Sequence, residues 1–306
     1  MARSNTQTGI TLHNNSFGGV TVSNGARKDL RATLESAKLN FQVERQAMYL
    51  AEGSKVPDAM AIVRTDTKAI LGTVGNKYRP VQNDAAFGVF QQAFDSGILE
   101  VELAGQLGGG KIVWVQARVV GDPLVVTGED VIRPYVLLAN SHDGSLALRA
   151  GFTAVRLFCY NQMAAATKHG SLVSLRHTQN VNLESLRSGI QAGRENLVKV
   201  VESARWLVGR KVPSNDVLNT YTRRSFGLDE NVPCRMDGQV QELFESGIGA
   251  GYKPTRGSWW SAYNSITEYL THHRGRNQDS RTKSLWFGDS AKVIGTALEV
   301  AIQMAA

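Results

Sequence analysis

The chain has 306 residues, 42% hydrophobic and 20% charged, with a formal net charge of +7 and a pI of about 9.5. These values exclude wholesale disorder and leave room for one large domain or two modest ones. No apolar run reaches the roughly 18 residues that span a bilayer, and Met1 to Gly25 lacks the apolar centre of a secretion signal. The cytoplasm is therefore the expected location, with no membrane partner.

The first 25 residues, rich in Asn, Thr, Ser and Gly, read as a flexible tail. Leu30, Leu34, Ala37 and Phe41 recur at helical spacing over Asp29–Phe41. Ala61–Thr65 and Ala69–Val74 flank Asp66-Thr67-Lys68 as a hairpin, and Tyr78-Arg79-Pro80-Val81 is extended because Arg79 precedes proline. A helix is expected from Asn83 to Ser96, stopped by Gly97. Ile98–Leu107 and Lys111–Val120 alternate as strands, joined by three glycines. Val131–Ala139 and Ala147–Ala154 are further strands, and Arg156–Thr167 reads as a helix. Beyond Val181 the pattern is helical: Leu183–Arg210, Asn215–Phe226, Gly238–Ser246, Trp259–His272 and Asp289–Met304. Strands followed by helices predict an α+β fold, a curved antiparallel sheet backed by a helix and followed by a helical C-terminal half. The expected organisation is a tail over 1–25, a strand-rich core domain over 26–181 and a helical region over 182–306.

Two sequence motifs invite chemistry and fail on physical grounds. Gly105 to Lys111 satisfies the spacing of a phosphate-binding loop. Such a loop needs Ser or Thr after its lysine and must open a helix; here Ile112 follows and the next residues have strand period. His142-Asp143 and His272-His273 lack the converging ligands that a metal centre requires. Cys159 and Cys234 stand in no CxxC pair and read as small hydrophobes. No catalytic residue, metal or cofactor is assigned.

The charge is unevenly distributed. From Ser141 to Arg224 there are twelve basic residues against five acidic, which equals the whole excess. Arginine dominates, which suits bidentate phosphate contacts. Within this stretch Arg149, Arg156, Lys168, Arg176, Arg187 and Arg194 interleave with Phe152, Phe158 and Tyr160, and Lys111 lies at the glycine turn. Cations follow a phosphate backbone while rings take unpaired bases. Lys111, Arg149, Phe152, Arg156, Tyr160, Lys168, Arg176, Arg187 and Arg194 are therefore the expected DNA contacts. The aromatic run Trp259, Trp260, Tyr263 and Tyr269 reads as core or subunit interface.

Asn140-Ser141-His142-Asp143-Gly144-Ser145, then Phe152-Thr153-x-Val155-Arg156 and Cys159-x-Asn161, resemble a phage- and plasmid-associated family of unknown function, domain of unknown function 932. So do Trp260-x-Ala262-Tyr263-Asn264-x-x-Thr267-Glu268-Tyr269, His273-Arg274-Gly275 and Trp286-Phe287-Gly288, so that the resemblance runs from about Gly75 to the C-terminus. The order hairpin, Tyr78-Arg79-x-Val81 turn, helix and strand pair is also similar to the core of the Rad-type and Red-beta single-strand annealing proteins. That similarity implies an ATP-independent single-stranded DNA-binding and annealing protein of a phage or plasmid, assembled as a homo-oligomeric ring or filament in a bacterial host cell. The rival expectations are a metal-dependent nuclease using His142 and Asp143, and an anti-defence protein that binds a host factor through the same basic surface.

Overall fold

A computed structural model describes residues 17, 19–22, 26–159, 161–163, 171–175 and 183–306. The fold is α+β, as expected: a curled antiparallel half-barrel sheet with helices concentrated in the C-terminal half.

The large sheet runs β1 (Val20–Thr21), β5 (Leu99–Leu107), β6 (Ile112–Val119), β8 (Asp130–Ser141), β9 (Leu148–Arg156) and β10 (Asn161–Met163). On the edge of β9 shared with β10, β11 (Ser171–Leu175) also pairs, and β7 (Leu124–Thr127) pairs with β8. Three glycines with positive φ, Gly108, Gly109 and Gly110, turn β5 into β6, so the loop motif is a hairpin connection. A second sheet is formed by β2 (Val43–Tyr49), β3 (Lys55–Arg64) and β4 (Ile70–Gly75). The expected hairpin is its β3–β4 half; β2, with fewer alternating apolar positions, was not foreseen.

One side chain spans the concave side of the sheet. The Trp286 ring lies 4.7 Å from that of Trp114 on β6, and its indole N–H donates to Gln162 on β10 at 3.3 Å. Those strands are three ladder steps apart, about 14 Å in a flat sheet. One indole thus touches side chains of both strands from the concave side of the curled sheet. Register places Trp114, Gln116, Leu137, Tyr135, Arg149 and Thr153 on this concave side. The alternate residues Val113, Val115, Leu138, Val136, Ala150 and Phe152 form the convex side.

The apolar face of α2 (Asn83–Gly88) and α3 (Gln91–Asp95) packs Phe87, Phe90 and Phe94 into the same core. The single helix expected from Asn83 to Ser96 is broken at Val89-Phe90. A shorter α1 (Leu30–Ser36) is capped by the Asp29 carboxylate, which accepts from the Arg31 and Ala32 amides. The long α4 (Leu183–Val208) crosses the convex side, with Gly193 pressed onto the Phe152 ring. Then come α5 (Asn215–Ser225), α6 (Arg235–Ser246), α7 (Trp259–Glu268), α8 (Gln278–Phe287) and α9 (Asp289–Ala305). Every residue of α7 is buried, which makes it the centre of the helical half. Where the helix was expected over Arg156–Thr167, residues 157–159 form a turn and 161–163 form β10, with Asn161 paired with Arg156 across the ladder, while 160 and 164–167 lie outside the described residues.

Candidate nucleic-acid interface

The motif residues of the middle and C-terminal segments meet inside the protein. The Arg156 guanidinium donates to both oxygens of Asp130, at 2.6 and 2.8 Å, and neither side chain is exposed. The Trp260 indole N–H adds a third bond to Asp130, at 2.9 Å. Arg156 also donates to the Gly249 carbonyl at 3.4 Å. Beneath the same turn, buried Glu268 accepts from the Ile248 and Gly249 amides at 2.8 and 2.7 Å. Asn161 donates to Asn264 and Thr267, and His272 contacts Asn161. Each buried charge thus has an opposite charge or oriented amides around it, as a low-dielectric interior demands. Cys159 belongs to this layer, and burial pushes its thiol up to about 11.

This overturns two expected DNA contacts. Arg156 is tied to Asp130 and closed to solvent, and Phe152 lies under α4. The others are dispersed. Arg149 is half-buried on the concave side, in register with Ala139 and, through it, Trp114. Lys111 is exposed at the glycine hairpin. Arg187 and Arg194 lie on α4, beside Ile98 and Gly121 at the other end of the β5–β6 pair, about 26 Å of strand away from Lys111. Tyr160, Lys168 and Arg176 lie outside the described residues.

The structure does bring one row and one cluster together. Arg187, Arg194 and Arg205 are separated by seven and eleven residues, which returns them to within about 20° on α4, over about 27 Å of its length. Arg194 donates to the Asp122 carbonyl at 3.3 Å, and Arg205 to the Val125 carbonyl at 3.1 Å, so the row follows β7. Glu195 and Glu202 stand about 60–80° further round α4, and Glu195 accepts from Gln191.

Past the end of α4 the row widens. Lys211 donates to the Arg256 carbonyl and Arg256 to the Glu245 carbonyl. The Arg210 guanidinium stacks on Trp206, 3.6 Å from the ring centroid. Tyr252, next to exposed Lys253, bonds β7 and the following turn: its hydroxyl donates to Thr127 and accepts from the Glu129 amide. Phe158 packs edge-on against Tyr252 at 5.2 Å and is 37% exposed. Arg205, Lys211, Lys253 and Arg256 therefore border, with Phe158 and Tyr252, the corner between α4, β7 and the turn over 248–256, and the Arg210–Trp206 stack sits at the end of α4. Among the described residues none of Arg205, Arg210, Lys211, Lys253 and Arg256 forms an ion pair with a carboxylate. The buried Arg156–Asp130–Glu268 layer lies directly beneath and holds the turn in place.

Sequence reasoning singled out Phe158 but missed Tyr252, Lys253 and Arg256, which are separated from α4 by 40 residues or more. It also missed Arg274, Arg276, Arg281 and Lys283 around one acid, Asp279, because charge was averaged over the C-terminal half. Four basic residues in ten was the available signal. Asp279 itself is engaged, accepting from the Gly108 amide at 2.7 Å. The His142-Asp143 pair is not assembled into a site. The His142 ring is buried between Asn83 and Phe41, whereas Asp143 caps the Ser145 amide. Among the described residues no group of three or more His, Cys, Asp or Glu is placed to hold a metal ion, and no helix is long and apolar enough to cross a membrane.

A family model described as Domain of unknown function (DUF932) matches residues 70–286, more than two thirds of the chain and all of the basic–aromatic corner. No curated protein and no solved structure matches the chain.

Proposed function

This chain belongs to the family described as Domain of unknown function (DUF932), and we propose that it binds single-stranded nucleic acid and promotes annealing of complementary strands, in a phage or plasmid setting. The observation that carries this reading is the basic corner of Arg205, Lys211, Lys253 and Arg256 beside Phe158 and Tyr252, with Arg210 stacked on Trp206 at the end of α4, none of these cations paired with a carboxylate among the described residues. The cations neutralise phosphates and release their counterions. With phosphate repulsion screened, base pairing itself supplies the free energy of annealing, and no nucleotide hydrolysis is needed. The Arg187–Arg194–Arg205 row extends the track along α4.

Self-association is part of the proposal. Sheet β2–β3–β4 has two outer strands, each paired on one side within this sheet, and carries exposed Tyr49 and Ile70. Such edges favour addition of further strands. The test is direct. Two complementary labelled strands are mixed with the protein and magnesium, and pairing and strand length are read together. The reading expects faster pairing with length unchanged. Shortened strands would support the nuclease reading instead, and unchanged pairing without strand binding would remove the proposal.

A further inference from the structure

Phe158 is a large aromatic side chain left 37% exposed in the turn between β9 and β10. Its support is rigid. Its ring meets Tyr252 edge-on at 5.2 Å, and the Arg156 guanidinium carbon lies 5.4 Å from its centroid. Arg156 is fixed by Asp130, and the Tyr252 hydroxyl is fixed by the Thr127 carbonyl and the Glu129 amide. Gly128 leaves no room for a Cβ beside that hydroxyl. A buried anchor, Arg156, and a half-buried one, Tyr252, therefore hold an aromatic ring at the surface, where it contributes less apolar burial than it would in the core. The cations nearby are Lys253 and Arg256 on the chain that follows Tyr252, and Arg205 across β7.

We propose that Phe158 is a base-stacking platform, and that the ligand class of this corner is a single strand with accessible bases rather than a duplex or a polyanion in general. This rests on the reading of the preceding section and deepens it. In a duplex both faces of each base are covered by neighbouring bases, so an external ring finds no partner. In a single strand a base can leave the stack and lie on the ring, while flanking phosphates meet the cations. A rigid ring loses little conformational freedom when a base settles on it.

The test compares oligothymidine with an abasic deoxyribose-phosphate strand of equal length, using fluorescence anisotropy and the full chain. The wild-type protein is expected to prefer oligothymidine by about tenfold. Phe158→Leu removes that preference and leaves affinity for the abasic strand unchanged; Phe158→Trp keeps it. Equal wild-type affinity for the two strands overturns the stacking role and leaves the phosphate reading standing, as does a full preference retained by Phe158→Leu. Binding to neither strand removes the preceding section's reading itself. Should Phe158→Leu fail to fold, the wild-type comparison of the two strands decides alone.

Discussion

Arg156 and Asp130 form a bidentate ion pair, Nε to Oδ1 at 2.6 Å and Nη2 to Oδ2 at 2.8 Å, with both side chains fully buried. They join the ends of β8 and β9, and through Trp260 and Gly249 they join the sheet to α7 and the turn before it. An arginine that reads as a DNA contact in sequence is therefore the internal brace of the surface above it.

Removing either partner leaves an uncompensated charge in the interior. Arg156→Ala is expected to cost about 3–5 kcal/mol, measured as the loss of unfolding free energy in urea. The contrary outcome, a stable Arg156→Ala protein that merely binds nucleic acid less well, would return Arg156 to the surface. Arg149→Ala, at a half-buried arginine with no carboxylate partner among the described residues, is expected to cost less.

Gly128 adopts φ +52°, and a Cβ there meets the Tyr252 hydroxyl. Gly128→Ala should break the tie between the β7–β8 turn and Tyr252 and cost about 1–3 kcal/mol. The readout is the melting temperature, with Tyr252→Phe as the comparison that removes the hydroxyl alone. If Gly128→Ala melts with the wild type, the turn is not held as described.

The two cysteines should differ in reactivity. Cys159 is fully buried, its thiol pushed up to about 11 by burial, whereas Cys234 is half-exposed beside Asp237. A disulfide reagent at neutral pH is expected to titrate one thiol in the native protein and two in denaturant. Modification of Cys159 without unfolding would contradict its placement.

The Arg64 guanidinium, hydrogen-bonded to Asp66, holds that carboxyl down at about 2, against 3.8 ordinarily. A carboxylate with a lowered value contributes stability that is complete above about pH 4 and is lost as pH falls towards 2. Because Asp66 is largely exposed, the contribution is small. A carbon-detected NMR titration should place its midpoint near 2, and Arg64→Gln should return it towards the ordinary value.

Much of the fold was legible because periodicity reports burial on one face. The alternation of β5 and β6 and the apolar stripe of α4 both appear where the pattern puts them. The segment after Arg156 misled because its small and aromatic residues fit a helix, whereas ladder pairing with β9, a non-local term, makes it a strand. The chosen site residues were a mixture for a related reason. Composition counts charges but does not show which carboxylate will meet them. Arg156 finds Asp130 26 residues away, and Arg256 meets Lys211, just past the end of α4, only through the fold. The density of polar and aromatic types in Asn140 to Met163 was a true signal of constraint, and the constraint is largely internal.

The most direct test of the account is the salt dependence of single-strand binding by the wild-type chain and by a variant with Arg205, Lys211, Lys253 and Arg256 each changed to Gln. Five neutralised phosphates predict a wild-type affinity loss of about a hundredfold between roughly 50 and 200 mM salt, and the variant's log–log slope should be shallower by about three. A wild-type affinity that salt scarcely changes, or a variant with the wild-type slope, would contradict the assignment of phosphate contacts to this corner.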